Sequence, residues 1–289
     1  MGQQCHIDVR FFGPPVDLEG CFTTFYRMDM AVEGGERVTD FLQPEWANLR
    51  FFSSNAPRAE VPGVARVENA LLTVTGPSSL PGKFELGTTR MWGIGLFPLG
   101  WARFIDLPAS DYANHVFDGA LSPVFAPFAE LGERLFAGEP DDEAEFQTII
   151  AFFRARMRDV REEARIRAVH AAIVDTEMST VVELAERSGL STRSLERLCR
   201  RHFGFPPKLL LRRQRFMRSL AAFMLAEGRN WSEVIDRHYH DQAHFVREFV
   251  DFMTMTPTEY AALPHPVLAA FMAERKRIWG SPAQTLDQP

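Results

Sequence analysis

The 289-residue sequence is poor in cysteine, with only three, and it has no long apolar run. Cys5, Cys21 and Cys199 are odd in number and lack the spacing of metal ligands, which favours a reducing compartment over a disulfide scaffold. The chain does not begin with an apolar signal segment, and no run approaches the length of a membrane span. We therefore predict a cytoplasmic protein without a membrane partner.

Motifs for catalysis and metal binding are also scarce. Residues 1–150 contain only two histidines, His6 and His115, so a three-histidine metal site is not available in that half. His240 and His244 have a zinc-compatible spacing, but they fall in a predicted surface helix, where polar side chains are expected in any case. The chain has no Gly-rich phosphate loop and no Gly-x-Ser-x-Gly elbow. The sequence thus predicts a protein that is not an enzyme and uses no cofactor or metal.

Charge is distributed unevenly along the chain, whose formal net charge is −6. Residues 1–150 carry 10 Lys and Arg against 21 Asp and Glu, whereas residues 151–280 carry 22 against 16. From Arg187 to Arg218 there are ten basic residues and one acid, Glu196. Such asymmetry is typical of an acidic module joined to a nucleic-acid-binding one, although a solvated helix face is an alternative for the basic run.

The first hundred residues have short apolar runs between Gly- and Pro-rich turns. This pattern predicts a mainly β N-terminal domain, sandwich-like or barrel-like, with flanking helices. The predicted strands are Ile7–Phe12, Cys21–Met30, Trp46–Phe52, Arg66–Val74 and Arg90–Phe97, and the predicted helices are Ala109–Val116 and Ser122–Phe136. Trp46, Trp92 and Trp101 are candidates for the lining of an apolar effector pocket, with a filled core as the alternative.

A polar, acidic segment at 137–145 marks the predicted boundary to a C-terminal all-α domain, which makes the chain α+β overall. The predicted divisions are an N-terminal domain over 1–137, a linker and connecting helix over 138–164, the all-α domain over 165–262, and a C-terminal helix and tail over 263–289. The connecting helix has one apolar stripe, formed by Phe146, Ile149, Ile150, Phe153 and Met157. Such a stripe packs either against its own domain or against a second copy of the chain.

Two segments about fifty residues apart have the pattern of helix-turn-helix units. In the first, Thr180 and Glu183 form a capping box, Gly189 suits a tight turn, and Ser191 can cap the second helix. The outward residues of that helix are Arg193, Glu196, Arg197 and Arg200. In the second unit, Asn230 and Glu233 resemble a capping box, Asp241 can cap the following helix, and the outward residues are Gln242, Ala243, Val246 and Arg247.

A helix from Pro207 to Leu225 joins the two predicted units. Its nineteen residues would span about 28 Å, which is close to the roughly 34 Å between successive major grooves on one face of B-DNA. The two units together therefore predict a body that reads two grooves without a dimer.

Residues 165–262 resemble the DNA-binding domain of AraC/XylS-type transcriptional regulators. The resemblance rests on strings that begin at Val182, Leu195, His202 and Tyr239, and on Thr256-Pro257. It implies double-stranded DNA as the partner, with bases read by Arg193, Glu196, Arg197, Gln242, Ala243, Val246 and Arg247. The candidates for contacts with the DNA backbone are Ser191, Arg200, Arg201, Lys208, Arg212 and Arg213.

Two positions depart from the family pattern, which has glycine where this chain has His238 and Thr254. A residue other than glycine is uncommon at positive φ, and a β-branched one is rare. We therefore predict either another turn geometry or strain in the second unit, whose first helix is also short and ends near Asp236. The first unit is expected to set base specificity, and the second to contribute mainly backbone contacts.

A weaker resemblance links residues 10–136 to the sensor domains of such regulators, through strings that begin at Pro44, Val74 and Gly95. Together the two resemblances predict a sequence-specific transcriptional regulator that responds to an unknown small-molecule effector. RNA polymerase and a second copy of the chain are further candidate partners. The alternatives are a degenerate regulator that works as a protein-interaction or small-molecule-binding module without DNA binding, and an enzyme built on the N-terminal domain.

Overall fold

The computed structural model describes residues 5–225, 231–279 and 283–289. Within them, ten strands form two antiparallel sheets, with the order β1-β2-β9-β4-β7-β10 in the larger and β3-β8-β5-β6 in the smaller. The strands are β1 Cys5–Phe12, β2 Phe22–Val32, β3 Val38–Leu42, β4 Ala47–Phe52, β5 Arg58–Val61, β6 Ala65–Glu68, β7 Leu72–Thr75, β8 Gly82–Leu86, β9 Thr89–Leu96 and β10 Val116–Asp118.

The two sheets face each other, so the prediction of a β-sandwich within an α+β fold is confirmed. The inner strands of the larger sheet, β2, β9, β4 and β7, are buried on both faces. Alternate residues of β2 show why: Phe25 points to a helix and packs edge-on against Phe146 at 5.5 Å, whereas Tyr26 and Met28 point to the smaller sheet. Because both faces are covered, β2 is an almost unbroken buried run in place of the usual alternation.

Ten α-helices accompany the sheets within the described residues. They are α1 Pro98–Phe104, α2 Ala126–Leu135, α3 Asp142–Arg154, α4 Glu163–Val174, α5 Val181–Arg187, α6 Thr192–Leu198, α7 Pro207–Leu225, α8 Gln242–Met253, α9 Pro257–Ala261 and α10 Pro266–Trp279. None of the helices is long and apolar enough to cross a membrane, within the residues that were searched.

Helix α3 packs on the outer face of the larger sheet. Its first residue, Asp142, accepts hydrogen bonds from Arg27 at 2.9 Å and Arg90 at 2.8 Å. Burial alone would raise the pKa of Asp142, but the hydrogen bonds from these two arginines outweigh it and lower the pKa to about 2. The apolar stripe of α3 is buried within the protomer except for Met157, which is 39% exposed beyond the end of the helix. The stripe therefore serves the chain's own core.

Local backbone geometry explains where the predicted elements differ from the observed ones. The predicted strand Arg66–Val74 is divided into β6 and β7 because Asn69 adopts a φ of +60°. The predicted helix Ala109–Val116 is wrong: only Ala109–Tyr112 forms a 3₁₀ turn, and Val116 already begins β10. Strands β3, β5, β8 and β10 and helix α1 have no counterpart among the predicted elements.

Candidate nucleic-acid interface

The first helix-turn-helix unit has the predicted local geometry. Thr180 and Glu183 form a capping box at the start of α5, with main-chain to side-chain distances of 3.0 and 3.2 Å. Gly189 has a φ of +66° in the turn, and the amide of Ser194 donates to the hydroxyl of Ser191 at 3.2 Å. Each cap satisfies amide hydrogens that a helix start leaves without partners, so the orientation of α6 relative to α5 is fixed locally.

The second unit repeats this arrangement in its second helix, α8. Asp241 caps α8 by accepting the amide hydrogen of His244 at 2.6 Å. Residues 241–250 follow the same order of exposed, half-buried and buried positions as residues 191–200, fifty positions earlier. Arg197 and Arg247 therefore occupy equivalent exposed positions, six residues after their caps. The two segments present the same face of a helix.

The predicted base-reading residues lie on that shared face. Arg193, Arg197, Gln242, Ala243 and Arg247 are exposed, and Glu196 and Val246 are half-buried. Glu196 is held by Arg200, whose Nε lies 2.9 Å from its carboxylate. Within the described part of the chain, Arg193, Arg197 and Arg247 take part in no ion pair or hydrogen bond through their side chains. They are cations available to a partner.

The arginines of α7 behave differently, since most of them bind acids inside the domain. Glu248 of α8 is 3% exposed and accepts from Arg212 at 2.7 Å and from Arg215 at 2.6 Å. Burial alone would raise the pKa of Glu248, but the hydrogen bonds from Arg212, Arg215 and Tyr239 outweigh it and lower the pKa. The equivalent position in the first unit is the buried Leu198. Helix α8 is thus joined to α7 by charged contacts, whereas α6 has an apolar residue at the equivalent position.

Among the predicted backbone-contact residues, the structure leaves Ser191, Arg200 and Lys208 exposed. Arg201 is exposed but lies 3.5 Å from Asp106, between α1 and β10. Arg212 joins Glu248 to Asp251, and its side chain is one-third exposed. The contacts of these residues with DNA remain a prediction.

The prediction for Arg213 is wrong, because the residue is fully buried. Its Nη1 donates to the main-chain oxygens of Glu45 at 3.3 Å and Ser78 at 2.9 Å. Its guanidinium stacks on Trp46, 4.0 Å from the ring centre, and burial lowers the pKa of Arg213 to about 9. Arg213 therefore joins α7 to the β-sandwich. The basic run did not reveal this because α7 buries one face.

A wide groove of about 920 Å³ lies beside α7, between the start of α5 and α8. Lys208, Arg215, Arg218 and Arg247 contribute to its walls. Arg218 is engaged by Asp236 at 2.5 Å, so Lys208 and Arg247 are the cations there that lack an acidic partner among the described residues. This surface lies next to the exposed face of α8.

His238 and Thr254, which stand where the family pattern has glycine, differ in their backbone conformation. His238 is not at positive φ; its amide and ring nitrogen both contact Asp236 Oδ1, at 2.9 and 2.8 Å. Thr254 has a φ of +56° in the left-handed region. The predicted capping residue Asn230 lies outside the described residues, and the first helix of this unit is reduced to a 3₁₀ turn at Trp231–Glu233. The second unit thus combines another turn geometry with local strain.

His240 and His244 stack with ring centres 5.8 Å apart. His244 also packs edge-on against Tyr239 at 5.2 Å, so it contributes to packing at the start of α8. Within the described residues there is no group of three side chains that could hold a metal ion.

The three predicted pocket tryptophans are core residues, so that prediction is wrong. Trp46, Trp92 and Trp101 are at most 1% exposed. The indole of Trp92 donates to Glu145 at 2.5 Å, and that of Trp101 to the main-chain oxygen of Leu107 at 2.7 Å. A cavity of about 160 Å³ lies elsewhere, between the two sheets and α10, and none of these tryptophans lines it. Its signal in the sequence is the apolar i, i+2 pattern of β2 and β8.

Residues 184–262 match the family described as a helix-turn-helix domain. The comparison with curated protein sequences gives no match. Among solved structures, ToxT from Vibrio cholerae is similar at 11% identity and a TM-score of 0.44, over 89% of this chain and 97% of that one. The AraC-like transcriptional activator CuxR is similar at 14% identity and a TM-score of 0.29, over 75% and 87%. These values are too low for the two structures to support a function for this chain.

Proposed function

We propose that this chain is a transcriptional regulator whose C-terminal part is an AraC-type helix-turn-helix domain. Helices α6 and α8 read two successive major grooves of duplex DNA, and the β-sandwich binds a small molecule to which the regulator responds. The first part of this proposal rests on the paired arginines Arg197 and Arg247. They are exposed at equivalent positions of two capped helices, and neither forms an ion pair or a side-chain hydrogen bond within the described residues. Arginine at such a position can donate two hydrogen bonds to guanine.

The cations of this surface have two different roles. Exposed arginines on the outer face of a recognition helix specify bases, whereas cations beside it neutralise phosphates and carry the salt dependence. Arg193 and Arg197 belong to the first class, together with Gln242 and Arg247 on α8, and Lys208 belongs to the second. Arg212 is engaged by Glu248 and Asp251, which makes Lys208 the better test of phosphate contact.

The test is a binding titration against a selected operator and against random DNA. Arg197→Ala should weaken operator binding by about 1–3 kcal/mol and relax the preference at one base pair. Arg165→Ala is the matched control, because Arg165 is an exposed arginine on α4, outside both units, and should change little. Equal losses on operator and random DNA with Arg197→Ala would refute base reading by α6.

Lys208→Ala should weaken binding to all sequences alike and reduce the slope of log K against log salt by about one. An unchanged slope would remove Lys208 from the phosphate contacts. If no DNA sequence is enriched by the wild-type chain, the strain at Thr254 would favour the alternative of a regulator that has lost DNA binding.

The responsive part of the proposal is supported by the position of the sandwich. Arg213 of α7 donates into the sandwich at Glu45 and Ser78, and its ring partner Trp46 is also a sandwich residue. Helix α7 packs against α8 as well as α5. A change in the sandwich therefore has a direct physical route through α7 to α8, and a route through α5 to α6, which packs against α5.

A further inference from the structure

The cavity between the two sheets is lined by side chains from both of them. It has a volume of about 160 Å³, and its walls include Tyr26 and Met28 of β2 and Phe84 and Leu86 of β8. These residues alternate along their strands, so their side chains point into the sandwich from both sheets. The cavity is a gap in an otherwise filled apolar core.

The C-terminal segment forms the remaining wall. Val267, Leu268 and Phe271 of α10 line the cavity, and the ring of Phe271 is edge-on to Tyr26 at 5.0 Å. The buried carboxylate of Asp40 in β3 fixes the start of α10, because its Oδ2 accepts the amide hydrogens of Val267 and Leu268 at 2.9 and 2.8 Å. Helix α10 is therefore held across the sandwich by a residue of the smaller sheet.

The charged groups that line the cavity already have partners. Arg50 donates to both carboxylate oxygens of Glu45 at 2.7 and 2.9 Å, and Arg275 forms an ion pair with Asp287. An ionised ligand would lose its hydration and find each of these charges neutralised, which is costly in an apolar site. The cost of desolvation therefore disfavours carboxylates and other ions in this cavity.

The volume limits the size of a ligand. A dry apolar cavity of about 150 Å³ accommodates benzene, so a single substituted ring fills this one. Thr24 and Thr73 also line the cavity, and each donates its hydroxyl hydrogen to a main-chain oxygen, at 3.1 and 3.2 Å. Their oxygens can still accept a hydrogen bond, so one donor group on the ligand can be satisfied.

We propose that this cavity, bordered by the C-terminal helix α10, binds a compact, neutral and largely apolar small molecule of about one substituted aromatic ring, with one hydrogen-bond donor. The regulatory meaning of the site rests on the proposed function. The binding itself depends only on the sandwich and α10.

Occupancy of the cavity is linked to the second recognition helix through the residues that precede α10. The ring of His265 contacts Asp40 at 3.1 Å and the main-chain oxygen of Tyr260 at 3.1 Å. Tyr260 of α9 is fully buried, receives a hydrogen bond from Gln43 at 3.1 Å and packs against Phe249 of α8 at 5.6 Å. A ligand that stabilises the position of α10 therefore also stabilises the position of α8 at Phe249.

The experiment measures thermal stability of the full chain with p-cresol, benzoate and octanoate. At about ten times its dissociation constant, p-cresol should raise the unfolding midpoint by about 2–4 °C, and the two carboxylates should leave it unchanged. Ala59→Leu should abolish the response, because Ala59 lines the cavity. Ala65→Leu is the matched control, since Ala65 is a half-buried alanine of the same sheet that does not line it.

A second variant keeps the test independent of how well Ala59→Leu folds. Phe271→Ala widens the cavity and should allow 2-naphthol to stabilise the chain more than p-cresol does. An equal or larger effect of benzoate or octanoate, no effect of p-cresol, or an undiminished response in folded Ala59→Leu would each overturn the proposal. If p-cresol binds but the chain binds no DNA site, the proposed regulator function is refuted and the cavity assignment stands. If the chain binds DNA but p-cresol does not stabilise it, the cavity assignment is refuted and the regulator function stands.

Discussion

Thr254→Gly should stabilise the protein, because the threonine ends α8 with a φ of +56°. The left-handed conformation costs an ordinary residue about 1–2 kcal/mol, and a β-branched side chain adds to the crowding. Glycine removes this strain but gives the unfolded chain more freedom, which offsets roughly 0.5–1 kcal/mol. The net expectation is a gain of about 0.5–1 kcal/mol in the free energy of unfolding, measured by urea denaturation.

His238→Gly is the matched control, because the family pattern places glycine there too. His238 is not at positive φ, and its ring hydrogen-bonds Asp236 at 2.8 Å. Its replacement should therefore destabilise the chain by about 1 kcal/mol through the lost hydrogen bond and the freer backbone. If both substitutions stabilise, or if Thr254→Gly destabilises, the assignment of strain to one turn alone is refuted.

Three further predictions concern the charged contacts that position the helices. Asp142→Asn should lower the free energy of unfolding by about 1–2 kcal/mol above pH 4 and make it less dependent on pH below 4. The reason is that a folded-state pKa lowered to about 2 gives stability that is lost as pH falls from about 4 to 2. An unchanged acid titration by circular dichroism would contradict this. Glu248→Gln should cost roughly 3 kcal/mol by leaving the α7 arginines without their buried acid, and Asp251→Asn on the exposed rim should cost far less. Asp40→Asn should weaken the start of α10 by about 1–2 kcal/mol, seen as faster amide exchange at Val267 and Leu268 than at residues of α3.

The sequence predicted the first helix-turn-helix unit almost completely because its determinants are local. The capping box at Thr180, the glycine at 189 and the cap at Ser191 each act within a few residues, so composition and spacing reveal them. The same holds for Asp241 at the start of α8. The exposed faces of α6 and α8 could be predicted from the 3.6-residue period of an α-helix.

The features that the sequence did not reveal depend on contacts between distant segments. Arg213 has the same local pattern as Arg212, and only the docking of α7 on the sandwich decides which one is buried. The tryptophans fill the core, which was the alternative to a pocket, because bulky aromatic side chains are mostly buried in folded proteins. Strands β3, β5 and β8 are short and partly polar, since the smaller sheet has an exposed face, and their pairing is set by partners up to about fifty residues away.

A hydroxyl-radical and methylation-protection footprint on a selected operator tests most directly whether one protomer reads two successive major grooves. Two protected major-groove patches about 10 base pairs apart should appear per protomer. Arg197→Ala should restore reactivity at a guanine in one patch, and Arg247→Ala should weaken protection in the other. A single protected patch that both substitutions affect alike, or no protection at any sequence, would contradict the account.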